Sequence, residues 1–462
     1  MAELEAPTAA ALPSPAAKEL ERKVFWRVVP QLFAVALISQ IDRSNLAYAA
    51  LQLDGLFFIG YLAQFPAGIA CLALGVRRWL TLIIAAWSVV AALFAAIENE
   101  AQFLVLRFFL GLTEAGTYPA IYAQLTHFFD PDGLGLAYTW VATATAVAGV
   151  VGAPLAALFL SLSGLGGLRG WRWLFIFEAL PAALLAVVTW VYTPSPLDTS
   201  WLSSAERAAL AALTRSRAEH GPSVQLAEVS GSPKGAALAE EGALSADDVP
   251  LLSPSKQLSQ DSVDLERPSA APAAPADPEA PSAILMASLK SEASDSDSDT
   301  ESTDAASSER LRATISAALL SGIPFGVAGL AMLANAWSSR RTRERRWHTA
   351  LPMLLAALAF AALAPAAKVA GPAGAVLALT LAAAGVWAPH GPFFSWPSAI
   401  LEPRHASLGF ALIKTLGAIG GFAGPLLVGM LADAGGGSFT AGAVVLAGVA
   451  ALAALLTAIF RQ

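Results

Sequence analysis

Eleven stretches of this chain are apolar for about 18 residues or longer, and that repetition constrains its fold more than any other feature. They run approximately over 28–51, 55–75, 79–97, 101–129, 136–164 and 171–193, then 313–336, 350–367, 371–394, 408–432 and 439–460. Backbone in hydrocarbon must satisfy its own N–H and C=O groups, so each run is predicted as a membrane-spanning helix. Ala and Leu dominate them, and the period-two alternation of an outer-membrane barrel is weak. The predicted class is an all-α membrane protein with six plus five spans.

Other classes find little support. Only 14% of residues are charged, against about 25% in ordinary soluble proteins. No basic stripe suggests nucleic acid. Cys71 is the one cysteine, and in an apolar helix its expected role is that of a small hydrophobe. No metal-ligand cluster, phosphate-cradling loop or nucleophile–base spacing is present, so neither an enzyme nor a bound cofactor is predicted.

Four regions follow from composition. Residues 1–25 carry Glu3, Glu5, Glu19 and Glu21 and no apolar core, and are predicted as a cytoplasmic tail. Residues 26–194 form a six-helix half and 313–462 a second half with five recognisable helices. Between them, 195–312 holds 20 acids and 9 bases with many Ser, Ala and Pro, including Ser294-Asp-Ser-Asp-Ser-Asp-Thr-Glu. Such a stretch buries too little apolar surface to offset its ordering entropy, so a disordered cytoplasmic linker is expected, open to kinases or cytoplasmic partners. Lys18, Arg22, Lys23 and Arg27 put the N-terminus in the cytoplasm by the positive-inside rule. Counting spans from there puts Arg340, Arg341, Arg343, Arg345 and Arg346 outside, so a helix before residue 313 is expected to be missing.

The first span carries Asp42, Arg43 and Asn45 together. Charges at bilayer depth cost at least ~2.5–3.5 kcal/mol each and persist where they face protein or a water-filled path. At 1.5 Å per residue Arg43 lies about 22 Å from the inner edge, and Arg107 about 7–8 Å below the outer edge. In a ~30 Å core those depths coincide. Glu114, seven residues after Arg107, shares its helix face near the midplane, where secondary transporters bind substrate. A guanidinium holds a carboxylate in a planar fork, and a buried carboxylate nearby suits proton carriage. Arg43, Arg107 and Asn45 are therefore substrate candidates, with Asp42 and Glu114 as proton-coupling candidates. A salt-bridge network that only fixes packing is the competing view. Lys414 is either a further positive group for an anion or a partner for Glu178 on the sixth span or for another acid. His390 is read as a packing or hydrogen-bonding residue, and Arg172 as interfacial between Trp171 and Trp173. The glycine- and proline-bearing stretches 149–154 and 417–425 are expected to let helices approach closely.

Several stretches, in order, resemble the major facilitator superfamily, specifically its anion:cation symporter branch. They are Ile41-Asp-Arg-Ser-Asn-Leu, Phe57-Phe-Ile-Gly-Tyr with Phe65-Pro, Gly75-Val-Arg-Arg-Trp, Phe103 to Gly116, Gly170 to Pro181, Trp201 to Arg207, Glu344-Arg-Arg-Trp-His and Gly420 to Pro425. The resemblance implies twelve helices, of which the seventh is not recognisable here. It implies gating loops at Arg77 and Arg78 and at Arg345 and Arg346, although the acids that accompany such arginines are replaced. It implies proton-coupled symport of an organic anion, a carboxylate, with sodium as the second choice of coupling ion, in contact with membrane lipid. A non-transporting sensor or scaffold on the same fold is the alternative.

Overall fold

The computed structural model describes residues 15–47, 54–195, 199–210, 300–401 and 405–459. The apolar runs fold as helices, and no strand occurs among the described residues. The first half comprises α1 (Pro15–Ala47), α2 (Asp54–Tyr61), α3 (Gln64–Leu74), α4 (Val76–Phe94), α5 (Glu100–Glu114), α6 (Thr117–Phe128), α7 (Pro131–Leu160) and α8 (Gly170–Tyr192). The second half comprises α9 (Thr300–Thr342), α10 (Arg346–Trp387), α11 (His390–Ile400), α12 (Ala406–Ala434) and α13 (Thr440–Ile459).

Helix ends follow local chemistry. Asp130 caps α7 by accepting the Gly133 N–H at 2.8 Å, with Pro131 in the first turn where its missing N–H is harmless. Asn99 caps α5 through the Gln102 N–H at 3.0 Å. Gly371, at φ 60° and ψ −147°, breaks α10 just before Pro372, so this stretch is two helical segments meeting at a sharp turn.

The structure differs from sequence expectation at several boundaries. Residues 15–25 belong to α1, because Leu20, Val24 and Val28 recur every four residues and are buried against the first half. Residues 204–210 are helical and α9 starts at Thr300, both inside the stretch assigned to the linker. The second span divides at 62–63 and the fourth at 115–116. Near Gly116 the Trp79 indole donates to the glycine's carbonyl at 3.4 Å, and a side chain there would collide with the ring. The absence of a helix before residue 313 concerns mainly 211–299, which lie outside the described residues. Gly149 packs under Phe325 and Gly421 against Phe58 of α2, as expected, whereas Gly417, Gly420 and Gly424 face open space among the described residues.

In the first half α1 packs on α6, α7 and α8, α4 on α5 and α8, and α2 on α5. In the second, α10 packs on α9 and α13. Its local core is small, Ala356, Ala357 and Ala450, whereas the large core of the first half extends to Phe394, Phe410 and Ala418 of α11 and α12. Large apolar side chains such as Leu180, Leu184, Leu330 and Leu452 point outward, as a lipid-facing surface requires.

The halves meet where α7 packs on α9 and α11, and where α12 packs on α2, α3 and α6. Gly391 touches the Gly135 carbonyl and Thr139 so closely that any Cβ would overlap them. Overpacking of this kind costs about 1–3 kcal/mol. Gly391→Val is expected to lower the melting temperature by several degrees, while Gly417→Val, in open space, leaves it unchanged. Equal melting of the two variants would remove Gly391 from the seam.

Ion pairs close the end of the bundle where α1 begins. Arg340 of α9 donates to Glu21 of α1 at 2.7 Å, joining the halves, and Lys23 bonds Glu206 at 2.9 and 3.0 Å. The Lys23 ammonium and the Ser203 N–H hold the Glu206 carboxyl at about 2. A carboxylate lowered in the folded state contributes stability above its unfolded pKa and loses it as pH falls through the folded one. Here that window runs from roughly 4.3 down to about 2, so the pair stays charged near neutral pH. Glu206→Gln should therefore leave the shape of the uptake-versus-pH curve unchanged between about pH 5 and 8. A flattened curve would make this pair the pH sensor.

Candidate functional site

Ser39, Asp42 and Arg43 stand three and four residues apart on α1, within one turn, but serve two neighbours. Asp42, 1% exposed, accepts the indole N–H of Trp87 on α4. Arg43 reaches across to Glu114, the last residue of α5. Its Nε donates to Glu114 Oε2 at 2.7 Å, and Nη2 lies 2.7 Å from the same oxygen. The Ser39 hydroxyl adds a third contact to that oxygen at 2.8 Å. Glu114 is fully buried at a helix C-terminus, where the dipole favours a cation, and Arg43 supplies one.

The guanidinium is walled by aromatic rings. Its Cζ lies 4.5 Å from the Tyr61 ring, 5.1 Å from Phe57 and 5.9 Å from Tyr118. Arg107, two turns before Glu114, is buried with its Cζ 5.6 Å from Phe103, and its charge acts on Glu114. The structure thus joins Arg43 to Glu114, with Arg107 two turns before Glu114 on α5 and Asp42 one residue before Arg43 facing α4. Glu178 is buried and acts on Asp42. The Asn45 side chain lies outside the described residues. Glu114 Oε1 and Asp42 Oδ1 are buried and accept no hydrogen bond among the described residues.

Lys414 enters from α12 of the second half. It is not bridged to Glu178; its Nζ sits over Phe394, Tyr118 and Tyr122 at 4.7, 4.9 and 5.3 Å. Gln64 of α3 donates to its backbone carbonyl at 3.1 Å, tying α12 to the first half. His390 shares a 2.8 Å hydrogen bond with the Tyr122 hydroxyl, a hydrogen-bonding role. The candidate gating arginines are dispersed. Arg77 stacks on Trp190 of α8 at 5.4 Å, Arg78 is exposed, and Arg346 donates to the Ala458 carbonyl of α13. Arg345 borders a small cavity with Gly135 of the first half and Ser395 of α11.

Sequence reasoning missed Glu21, Ser39, Trp87 and the Tyr118–Tyr122–Phe394 wall. For Ser39 the signal was present, since it precedes Arg43 by one helical turn. The others needed tertiary neighbours.

Residues 21–246 match the model of the Major Facilitator Superfamily. A protein of Agrobacterium vitis provisionally named a tartrate transporter is 29% identical over 96% of this chain and 91% of its own length. Both likenesses are to the major facilitator superfamily, and the chain is a multi-pass helical membrane protein. The facilitator fold is shared with the proton:xylose symporter XylE, at a TM-score of 0.57 and 14% identity over 94% of this chain and 95% of that one. It is shared also with the human organic anion transporter MFSD10, at a TM-score of 0.55 and 14% identity over 94% and 98%. In this chain the buried charges lie beside the contact of α12 with α2, α3 and α6, where the two halves face each other.

Proposed function

We propose that this protein carries an organic anion, a carboxylate, together with protons, by alternating access. The observation that carries the reading is the Arg43–Glu114 pair. The protein's own carboxylate occupies, at 2.7 Å, the guanidinium fork a substrate carboxylate would need. A proton on Glu114 cancels its charge and frees Arg43, so proton and anion arrive together. When the anion leaves and the proton is lost, Glu114 recaptures Arg43. Asp42, beside Glu114 and Glu178, is the second proton position. Arg107 offsets the acids and keeps the centre attractive to an anion. The name of the Agrobacterium vitis relative supports a carboxylate, and tartrate is the first compound to try.

On the orientation that the positive-inside rule favours, α1 begins in the cytoplasm. The Glu21–Arg340 pair and the Gly135–Gly391 contact then close the cytoplasmic end, and rocking of the halves about the central site opens it.

The test uses purified protein in proteoliposomes holding a pH-sensitive dye. Adding tartrate outside should acidify the lumen in step with labelled uptake. Uptake that follows a sodium gradient without proton movement would replace the coupling ion. No uptake of any carboxylate would sink the reading.

A further inference from the structure

Lys414 is a charge in α12 that takes part in none of the ion pairs among the described residues. Its neighbours are aromatic, and those rings are held in place. The Gln40 amide donates to the Tyr118 hydroxyl at 2.9 Å, and His390 holds the Tyr122 hydroxyl at 2.8 Å. Cation–π contact offsets part of the cost of an ammonium at this depth but leaves its N–H donors unmatched by any anion.

Arg43 is the charge that bears most on Lys414. The Tyr118 ring lies 5.9 Å from the Arg43 Cζ and 4.9 Å from the Lys414 Nζ, so one aromatic wall serves both cations. Arg43 belongs to the first half and Lys414 to the second. The two cations repel, and Glu114 contacts only Arg43. A ligand with two carboxylates would satisfy both and would draw the halves together across the seam.

We propose that Lys414, with Tyr118, Tyr122 and Phe394, forms a second carboxylate subsite, so that the transported anion is a short dicarboxylate spanning Arg43 and Lys414. This rests on the assignment of Arg43 as the anion site. Both cations lie close to one ring centre, at 5.9 and 4.9 Å, which limits the gap between them and favours a short spine once charge-assisted contacts of ~2.8 Å are made at each end. An anion with one carboxylate could neutralise Arg43 but would leave Lys414 unmatched.

The test compares succinate with 3-hydroxybutyrate, which has the same chain length and one carboxylate. Wild-type protein, Lys414→Gln and Lys414→Arg are reconstituted in proteoliposomes. Wild type should favour succinate by at least about tenfold in kcat/KM. Lys414→Gln should lose that preference, its KM rising far more for succinate than for 3-hydroxybutyrate, and Lys414→Arg should keep it. Equal effects of Lys414→Gln on both compounds, or no preference in the wild type, would overturn the proposal. Should Lys414→Gln fail to fold, ligand-induced thermal stabilisation of the wild type decides: succinate should stabilise it more than 3-hydroxybutyrate does, and equal stabilisation by both compounds rejects the subsite. Transport of 3-hydroxybutyrate that Arg43→Ala abolishes, without any succinate preference, would leave the Arg43 assignment intact and remove only Lys414.

Discussion

Arg43→Ala abolishes uptake, and adding Glu114→Gln to it restores stability without restoring transport. Both expectations come from one contact. Truncating Arg43 leaves the Glu114 carboxylate, 0% exposed, with Ser39 as its one remaining hydrogen-bond donor to Oε2. Removing one member of a buried ion pair costs about 3–5 kcal/mol, because the other charge is stranded. Neutralising Glu114 in the same protein removes the stranded charge, so the melting temperature should recover. The fork for the substrate is still missing. Loss of a desolvated charge contact of about 3–4 kcal/mol corresponds to a fall of roughly 100- to 1,000-fold in uptake. Arg43→Lys keeps the charge but loses the planar, two-pronged geometry. Its expected loss is smaller, about 10- to 100-fold, matching one charge-assisted hydrogen bond. Labelled uptake and thermal unfolding of the same preparations separate the two effects. Normal uptake by Arg43→Ala would remove this residue from the site.

Glu114→Gln, made alone, should disconnect the anion from the proton while leaving the anion path open. Glutamine has nearly the same shape, still accepts from Ser39 and Arg43, and carries no exchangeable charge. A symporter that moves one proton per anion charge-compensated in this way accumulates its substrate about tenfold per unit of pH gradient, since one unit is 1.36 kcal/mol. In the variant that ratio should fall to one, with exchange of internal for external substrate retained. Asp42→Asn is the companion. If it abolishes accumulation while Glu114→Gln does not, the proton rides on Asp42, held by Trp87 on α4. Accumulation in both variants would sink proton coupling through these carboxylates.

The membrane character, the helical class and the enclosure of Asp42, Arg107 and Glu114 within protein were legible from the linear chain. Lipid makes them so. An unmatched backbone or charge in hydrocarbon is costly enough that long apolar runs must be helices. The same cost means that charges within them must have partners or ligands. Helical rise alone set Arg43 level with Arg107, whereas in the structure Arg43 pairs with Glu114, two turns further along α5. Boundaries were less accessible. Pro15 to Phe25 looks like a polar tail because its charged residues outnumber Leu20 and Val24, yet those two align with Val28 on a single stripe.

What the sequence determined by itself was chemistry that does not depend on neighbours: which segments can span, and which residues are too costly in lipid to be idle. What only the tertiary structure decided was pairing. Asp42 and Arg43 are adjacent in the chain, but a helix turns each residue by about 100°, so one faces Trp87 and the other Glu114. Lys414 had two open fates, and the fold put it over Tyr118, Tyr122 and Phe394 rather than against Glu178. Glu21 found Arg340 some 319 residues away. Such contacts depend on how the halves dock, a property of packed surfaces that no local period encodes.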